Sequence, residues 1–304
     1  MAQTLLSVPI SDSKIVRRWS LPGDPHGLAL GADGTVYAGL AQPQAVVAID
    51  PERGSIKKRV VLDSAEIAAT KELVTMRMSA DGSRLYVANG SDESATILSL
   101  PNLAVVREIT IEGEPIRDAL PDPKGRYLFL VGHRVHVYDA NGNEELRTVG
   151  GDDPTAIAAN SSQLAVLTKD RLTLYDLKDF REIGSAAGLS GVESALFADR
   201  ILLLLAPDAL YEVEQKITRE PICLPSGSGP QIAALATPRL LLFAERRCNS
   251  GGAFSSGEHI VTPASLYGVN AYAVAYDAKS NFLYATERAG YLTIYRVPRP
   301  AVAH

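Results

Sequence analysis

The sequence predicts an all-β fold, a seven-bladed β-propeller of four-stranded antiparallel blades, and three observations carry that prediction. A phrase of short apolar strands separated by tight turns recurs about every 40 residues, a period typical of radially repeated sheets. Seven strands rich in small residues begin at 26, 75, 117, 155, 193, 231 and 272, spaced 38 to 49 residues apart. Strands that converge on a common axis have little room for large side chains. No stretch keeps helical periodicity for more than about two turns.

The inner strands are His26–Leu30, Thr75–Met78, Arg117–Leu120, Thr155–Ala158, Glu193–Leu196, Gln231–Leu235 and Tyr272–Ala275. Turn signals follow most of them: Asp33-Gly34, Asp81-Gly82, Lys124-Gly125 and Lys279-Ser280-Asn281. Gly and Asn accept the positive φ that tight hairpins demand. Second strands then read as nearly unbroken apolar runs, as in Val36–Ala38, Leu85–Val87, Leu128–Leu130, Leu164–Leu167, Ile201–Leu205, Leu240–Phe243 and Phe282–Ala285. Such runs suit strands covered on both faces. Third strands include Val46–Asp50, Val135–Asp139, Leu172–Asp176 and Leu292–Tyr295, several ending in an aromatic-acidic pair.

The termini complete the count. The last repeat stops at Pro298 and Pro300, one strand short, while a spare β segment, residues 14–21, precedes the first inner strand. That segment is expected to supply the outer strand of the last blade and close the ring, which removes exposed sheet edges. Blades are expected to start near residues 25, 73, 115, 154, 192, 230 and 270. Repeats share one continuous core, so the 304 residues are expected to form one domain. The Gly/Ser-rich stretch 248–257 interrupts the sixth repeat and reads as a flexible surface insert.

Composition narrows the function classes. Apolar residues make up 46% and charged residues 21%, with a net charge of −5 and no Lys/Arg block, so nucleic acid is not expected as a partner. The longest apolar run, residues 201–206, is a buried strand rather than a membrane span, which needs about 20 apolar residues. The first residues lack a basic n-region and a long apolar segment, so a cytoplasmic location is expected unless a signal was trimmed from an exported protein. Two cysteines, Cys223 and Cys248, fit either a disulfide or two buried thiols. Asn89-Gly90-Ser91 and Asn160-Ser161-Ser162 match the glycosylation sequon, a match short enough to arise by chance.

The phrase Ser79-Ala80-Asp81-Gly82-Ser83-Arg84-Leu85-Tyr86-Val87-Ala88-Asn89 resembles the YVTN family of bacterial and archaeal β-propellers. Pro25-His26-Gly27-Leu28-Ala29 with Asp33-Gly34 supplies the first part of that repeat, and Tyr284-Ala285-Thr286 is an echo of its end. Repeats four to six lack the Asp-Gly turn. The WD40 repeat leans on a Trp-Asp pair in most blades, whereas the single tryptophan here, Trp19, is followed by Ser20. The resemblance implies a propeller acting as a scaffold, a surface protein or a companion of cofactor enzymes. It carries over no catalytic residues.

The residues themselves hold few chemical signatures. His133 and His136 lie three apart on a strand and point to opposite faces, so they are not expected to chelate one metal. Glu112/Glu114 and Asp152/Asp153 read as solvated turn residues. No nucleophile elbow, P-loop, zinc-type cysteine pairing or calcium loop is present, so neither metal nor cofactor is expected. What remains is the channel mouth, where each inner strand begins: His26, Thr75, Arg117, Thr155, Glu193, Gln231 and Tyr272. The expected function is a non-catalytic, monomeric binding or scaffold propeller that engages a protein, peptide or small ligand there. An alternative is a lactonase-like hydrolase with His26 or Glu193 as general base and Arg117 as oxyanion stabiliser. A third reading is a propeller subunit of a redox enzyme complex.

Overall fold

Strands with apolar side chains on both faces must be covered twice, and the fold meets that demand by stacking sheets around a ring. The computed structural model describes residues 14–41, 43–62, 75–88, 93–151, 153–192, 194–198, 200–206, 209–214, 217–221, 231–237, 240–245, 250–255, 260–262, 271–277, 279–287 and 289–296. Between 218 and 262 the description is of the backbone.

The chain opens with β1 (Lys14–Ser20). Blade 1 follows with β2 (Pro25–Leu30), β3 (Val36–Ala41), β4 (Gln44–Asp50) and β5 (Ser55–Val61). Blade 2 is β6 (Thr75–Met78), β7 (Arg84–Ala88), β8 (Ser94–Ser99) and β9 (Ala104–Thr110). Blade 3 is β10 (Asp118–Pro121), β11 (Tyr127–Val131), β12 (Val135–Asp139) and β13 (Glu145–Val149). Blade 4 is β14 (Ala156–Ala159), β15 (Gln163–Leu167), β16 (Arg171–Asp176) and β17 (Glu182–Ala187). Blade 5 is β18 (Ser194–Ala198), β19 (Ile201–Ala206), β20 (Ala209–Val213) and β21 (Ile217–Pro221). Blade 6 is β22 (Gln231–Thr237), β23 (Leu240–Glu245), β24 (Ser250–Ser255) and β25 (Ile260–Thr262). Blade 7 is β26 (Ala271–Asp277), β27 (Phe282–Glu287) and β28 (Tyr291–Arg296), completed by β1.

Among the described residues all strand pairings are antiparallel and form seven sheets of four strands each. The innermost strands touch one another in the cyclic order β2, β6, β10, β14, β18, β22, β26 and back to β2. The described residues contain no helix, and hence none long and apolar enough to cross a membrane.

The core lies between blades, which explains the second-strand pattern. In β3, Tyr37 packs with Met76, Leu85 and Val87 of blade 2, while Val36 and Ala38 turn toward Tyr284 and Ile294 of blade 7. Tyr86 and Ile97 meet Leu128, Leu130 and Tyr138 of blade 3. Phe129 and Val131 meet Ile157, Leu164 and Val166 of blade 4, and Ala165 and Leu167 meet Phe197, Leu202 and Leu204 of blade 5. Alternate residues of one strand thus serve two interfaces.

The recurring acidic residues are turn caps. Asp33 accepts from the Thr35 amide (3.0 Å) and hydroxyl (2.8 Å), and Asp81 accepts from the Ser83 amide (3.0 Å). The hydroxyls of Ser79 and Ser83, with that amide, bring the Asp81 carboxyl down to about 2. Asp50, Asp139 and Asp176, the acidic ends of third strands, accept from amides of the following turn at 2.9, 2.9 and 2.8 Å. Asn160 of one sequon does the same, accepting from the Ser162 (2.9 Å) and Gln163 (2.8 Å) amides.

Ring closure is chemically explicit. Arg18 of β1 places Nη2 3.3 and 3.2 Å from the two oxygens of the buried Glu287 carboxylate, and its Nε donates to Thr293 Oγ1 (3.1 Å). Tyr295 donates to the same carboxylate at 2.9 Å, and burial together with that charge pushes its phenol up. Trp19 reaches the next blade, donating from Nε1 to Pro51 O at 3.0 Å. Gly54 stands against the indole at φ 68°, where a Cβ would come within 2.3 Å of Trp19 Cδ2.

One sequence expectation is corrected within blade 6. Of the stretch 248–257, Ser250–Ser255 is β24, paired with β23 on one side and β25 on the other. Its Gly/Ser composition hides a strand that is paired on both edges. Cys223 and Cys248 lie outside the described residues.

Candidate functional site

Each antiparallel blade carries its second-to-third turn, and its connection to the next blade, on the face where inner strands begin. The described mouth positions His26, Thr75, Arg117, Thr155 and Tyr272 therefore share that face, but their side chains divide into separate constellations.

His26 and Tyr272 form one of them, at the joint of blades 1 and 7. Both occupy β-bulges: the ladder steps from Pro25 to Gly27 and from Ala271 to Ala273 against single steps of the partner strand. A bulge re-aims the extra residue's side chain, and here the two rings stack at 4.1 Å between centroids and 29° between planes. His26 is 2% exposed, and its Nε2 lies 3.1 Å from the Asp24 carboxylate. The buried Thr286 hydroxyl accepts from the Ala273 amide (3.1 Å) and faces the His26 carbonyl (3.3 Å). This pair packs the joint rather than lining an open mouth.

The other constellation joins blades 2, 3 and 4 around the turn Gly132-His133-Arg134. From one side Glu114, in the connection out of blade 2, accepts from the His133 amide at 2.9 Å and lies 3.0 Å from His136 Nε2. Arg117, one residue before β10, donates from Nη2 to the Gly132 carbonyl. From the other side the Asp153 amide donates to the His133 carbonyl (2.8 Å), and the Asp153 carboxylate meets His133 Nδ1 at 3.0 Å. Thr75 Oγ1 donates to the Arg117 carbonyl at 3.0 Å, tying blade 2 to the same point. Behind the turn, Arg77 of β6 holds Asp118 of β10 with two bonds of 3.2 and 2.9 Å.

The electrostatics follow from these contacts. Burial pushes the Glu114 carboxyl up, but the hydrogen bonds from His136 and the His133 amide outweigh it and hold the group below the usual carboxylate range. The Asp153 carboxyl is lowered chiefly by its bond from His133, with Arg117 adding to the effect. His136 is buried with Nδ1 2.9 Å from Glu145, so its ring spans two carboxylates. A neutral imidazole donates from one nitrogen only, so both contacts are hydrogen bonds when the ring is doubly protonated. Burial and Glu145 push the Tyr138 phenol up to about 12.

The sequence-stated residues therefore fall as follows. Thr75 and Arg117 are joined directly, Thr155 is exposed one residue before β14 with its amide on Leu167 O (2.7 Å), and His26 and Tyr272 are joined elsewhere. Glu193 lies outside the described residues, as does the side chain of Gln231, whose backbone begins β22. Glu114 is not the solvated turn residue its sequence suggests, because it organises the turn facing it. Its role shows only once the β11–β12 turn is brought against it. Glu145 could be found from the β12–β13 hairpin, whose register sets it opposite Tyr138 and near His136. The two histidine rings have different partners, Asp153 for His133 and the two glutamates for His136. Among the described residues no group of three or more His, Cys, Asp or Glu side chains is arranged to hold a metal ion.

Sheet order and the ring of inner strands define a β-propeller protein. Virginiamycin B lyase from Staphylococcus aureus has a similar structure, with a TM-score of 0.74 and 15% identity over 94% of this chain and 100% of that one. Hydrazine synthase of Kuenenia stuttgartiensis has a chain similar at a TM-score of 0.74 and 14% identity, over 93% of this chain and 97% of that one. Identities this low establish the fold alone. No protein-family model and no curated protein matches the chain.

Proposed function

We propose that this chain is a non-catalytic binding propeller of the YVTN kind, which engages a protein, peptide or small ligand at the channel mouth over blades 2 to 4. The observation that carries this reading is the constellation around His133. It fixes Arg117 and His133 from both sides by backbone contacts while leaving their side chains 44% and 59% exposed. Polar side chains held in place before a ligand arrives lose little freedom on binding, which is the basis of preorganised recognition. Elsewhere the recurring polar residues are occupied by turns and by ring closure.

The hydrolytic alternative asks His26, Arg117 and Glu193 to converge on one reacting carbonyl. His26 is enclosed against Tyr272 and Asp24 in the joint of blades 7 and 1, and that favours the binding reading. A general base must come within hydrogen-bond reach of the proton it takes.

A thermal-shift screen of small metabolites and short peptides tests the binding reading. Ligands that stabilise the wild type, as preferential binding to the native state requires, are expected to lose their effect in Arg117→Ala and His133→Ala. Hits that stabilise both variants as well as the wild type would refute the placement, and lactone turnover by the wild type would refute the non-catalytic reading.

A further inference from the structure

Blades 3 and 4 bring an exposed guanidinium and an exposed imidazole against one exposed carboxylate, and the three are unequally engaged. Arg117 is pinned through Nη2 to Gly132 O and by its own amide to Val131 O (2.8 Å), so its position is fixed while its side chain stays 44% exposed. Asp153 is 70% exposed. Its carboxylate bonds His133 Nδ1 at 3.0 Å but stops 3.8 Å from Arg117 Nη2, outside hydrogen-bond range. Arginine prefers to meet a carboxylate through two parallel N–H···O bonds, and Asp153 makes neither.

The Asp153 backbone accounts for that shortfall. Its amide is committed to His133 O and its φ is 53°, in the left-handed region. The carboxylate is thereby carried to the cationic corner on a short, fixed tether that brings it to His133 and no further. A carboxylate on a separate molecule has no such tether and is able to approach both Arg117 and His133 at bonding distance.

We propose that the corner formed by Arg117 and His133 binds the carboxylate of a small-molecule or peptide ligand, with the Asp153 carboxylate standing in that place until the ligand displaces it. Thr155, an exposed residue, occupies the equivalent position of blade 4 on the same face. The proposal rests on the reading of the mouth as a binding face and adds the chemistry of what is bound.

Titration with succinate, followed by the Arg117 Nε and His133 ring signals in 15N NMR spectra at low ionic strength, tests it. Succinamide serves as the neutral control, and a tetrapeptide with a free or an amidated C-terminus separates a peptide source from a small-molecule one. Saturable shifts are expected with succinate and absent with succinamide. Arg117→Met is expected to weaken binding at least 10-fold, in line with a charge-assisted pair. Asp153→Asn, which keeps a residue tolerant of the left-handed backbone, is expected to tighten it about 10-fold by removing the internal competitor. Binding unchanged in Arg117→Met, no saturation in either the wild type or Asp153→Asn, or equal binding of succinamide would each overturn the proposal. A screening hit that depends on Arg117 yet carries no carboxylate would overturn the proposal and leave the broader reading standing. Hits independent of Arg117 would sink the broader reading itself.

Discussion

Arg18→Met is the most informative perturbation of the ring closure. The substitution keeps an aliphatic stem of similar length and removes the guanidinium that straddles both oxygens of Glu287. Glu287 is 5% exposed and would retain only the Tyr295 hydroxyl at 2.9 Å among its described partners. Stranding one member of a fully buried ion pair costs about 3–5 kcal/mol. Arg18 is 42% exposed on its side chain, so water screens part of the interaction, and the expected loss falls to about 2 kcal/mol. At an m-value of about 3 kcal/mol/M this lowers the urea midpoint by about 0.7 M. The single tryptophan, Trp19, adjoins Arg18 on the closing strand, so intrinsic fluorescence reads the closure while circular dichroism reads the sheets. Adding Glu287→Gln should recover at least half of the loss, because a neutral amide needs no counter-charge. A loss below about 0.5 kcal/mol for Arg18→Met, or strictly additive effects in the double variant, would mean that Arg18 and Glu287 are not a coupled pair that closes the ring.

Three further perturbations probe the core, the closing turn and the Glu114 contact separately. Phe129→Ala empties a fully buried position between blades 3 and 4 and should cost about 3–5 kcal/mol in chemical denaturation, far more than an exposed outer-strand change such as Val105→Ala. Gly54→Ala combines a φ of 68° with a Cβ driven into the indole, so it should displace Trp19 and red-shift its emission even where the fold survives. Glu114 gives a pH dependence with a definite sign. Its carboxyl is held lower in the folded chain than in the unfolded one, so its stabilisation is complete above the ordinary carboxylate range and is lost as pH falls through the folded value. The protection factor of the His133 amide, whose N–H donates to Glu114, should be high at pH 6 and fall in acid, and Glu114→Gln should abolish that pH response.

Much of the architecture is legible in the sequence because burial on two faces leaves a plain mark. The runs Leu128–Leu130 and Ile201–Leu205 have no polar alternation; each is a second strand, and the first lies between two interfaces. The spare segment 14–21 is likewise recognisable, and its pairing with Tyr291–Arg296 closes the ring. Outer strands such as Ala104–Thr110 leave a weaker mark because one edge and much of their surface meet water. Ser250–Ser255 leaves none, since Gly and Ser contribute no apolar pattern and partners on either side supply the ladder.

The site is legible in position and not in orientation. Each inner strand begins within one residue of where the repeat places it, but period-2 arithmetic fails across a bulge, and at His26 and Tyr272 it misdirects both side chains. Glu114 looks like a solvated acid because the turn it holds, Gly132-His133, is eighteen and nineteen residues away in sequence and adjacent only after folding.

The repeating residues build the ring, whereas Arg117 and His133 are held on the face where inner strands begin without supporting it. Urea unfolding of the double variant Arg117→Ala/His133→Ala separates these two roles. Its unfolding free energy is expected to lie within about 1 kcal/mol of the wild type, as for exposed positions away from the core. A loss of about 3 kcal/mol or more, of the size expected for a core position, would instead make these residues part of the scaffold.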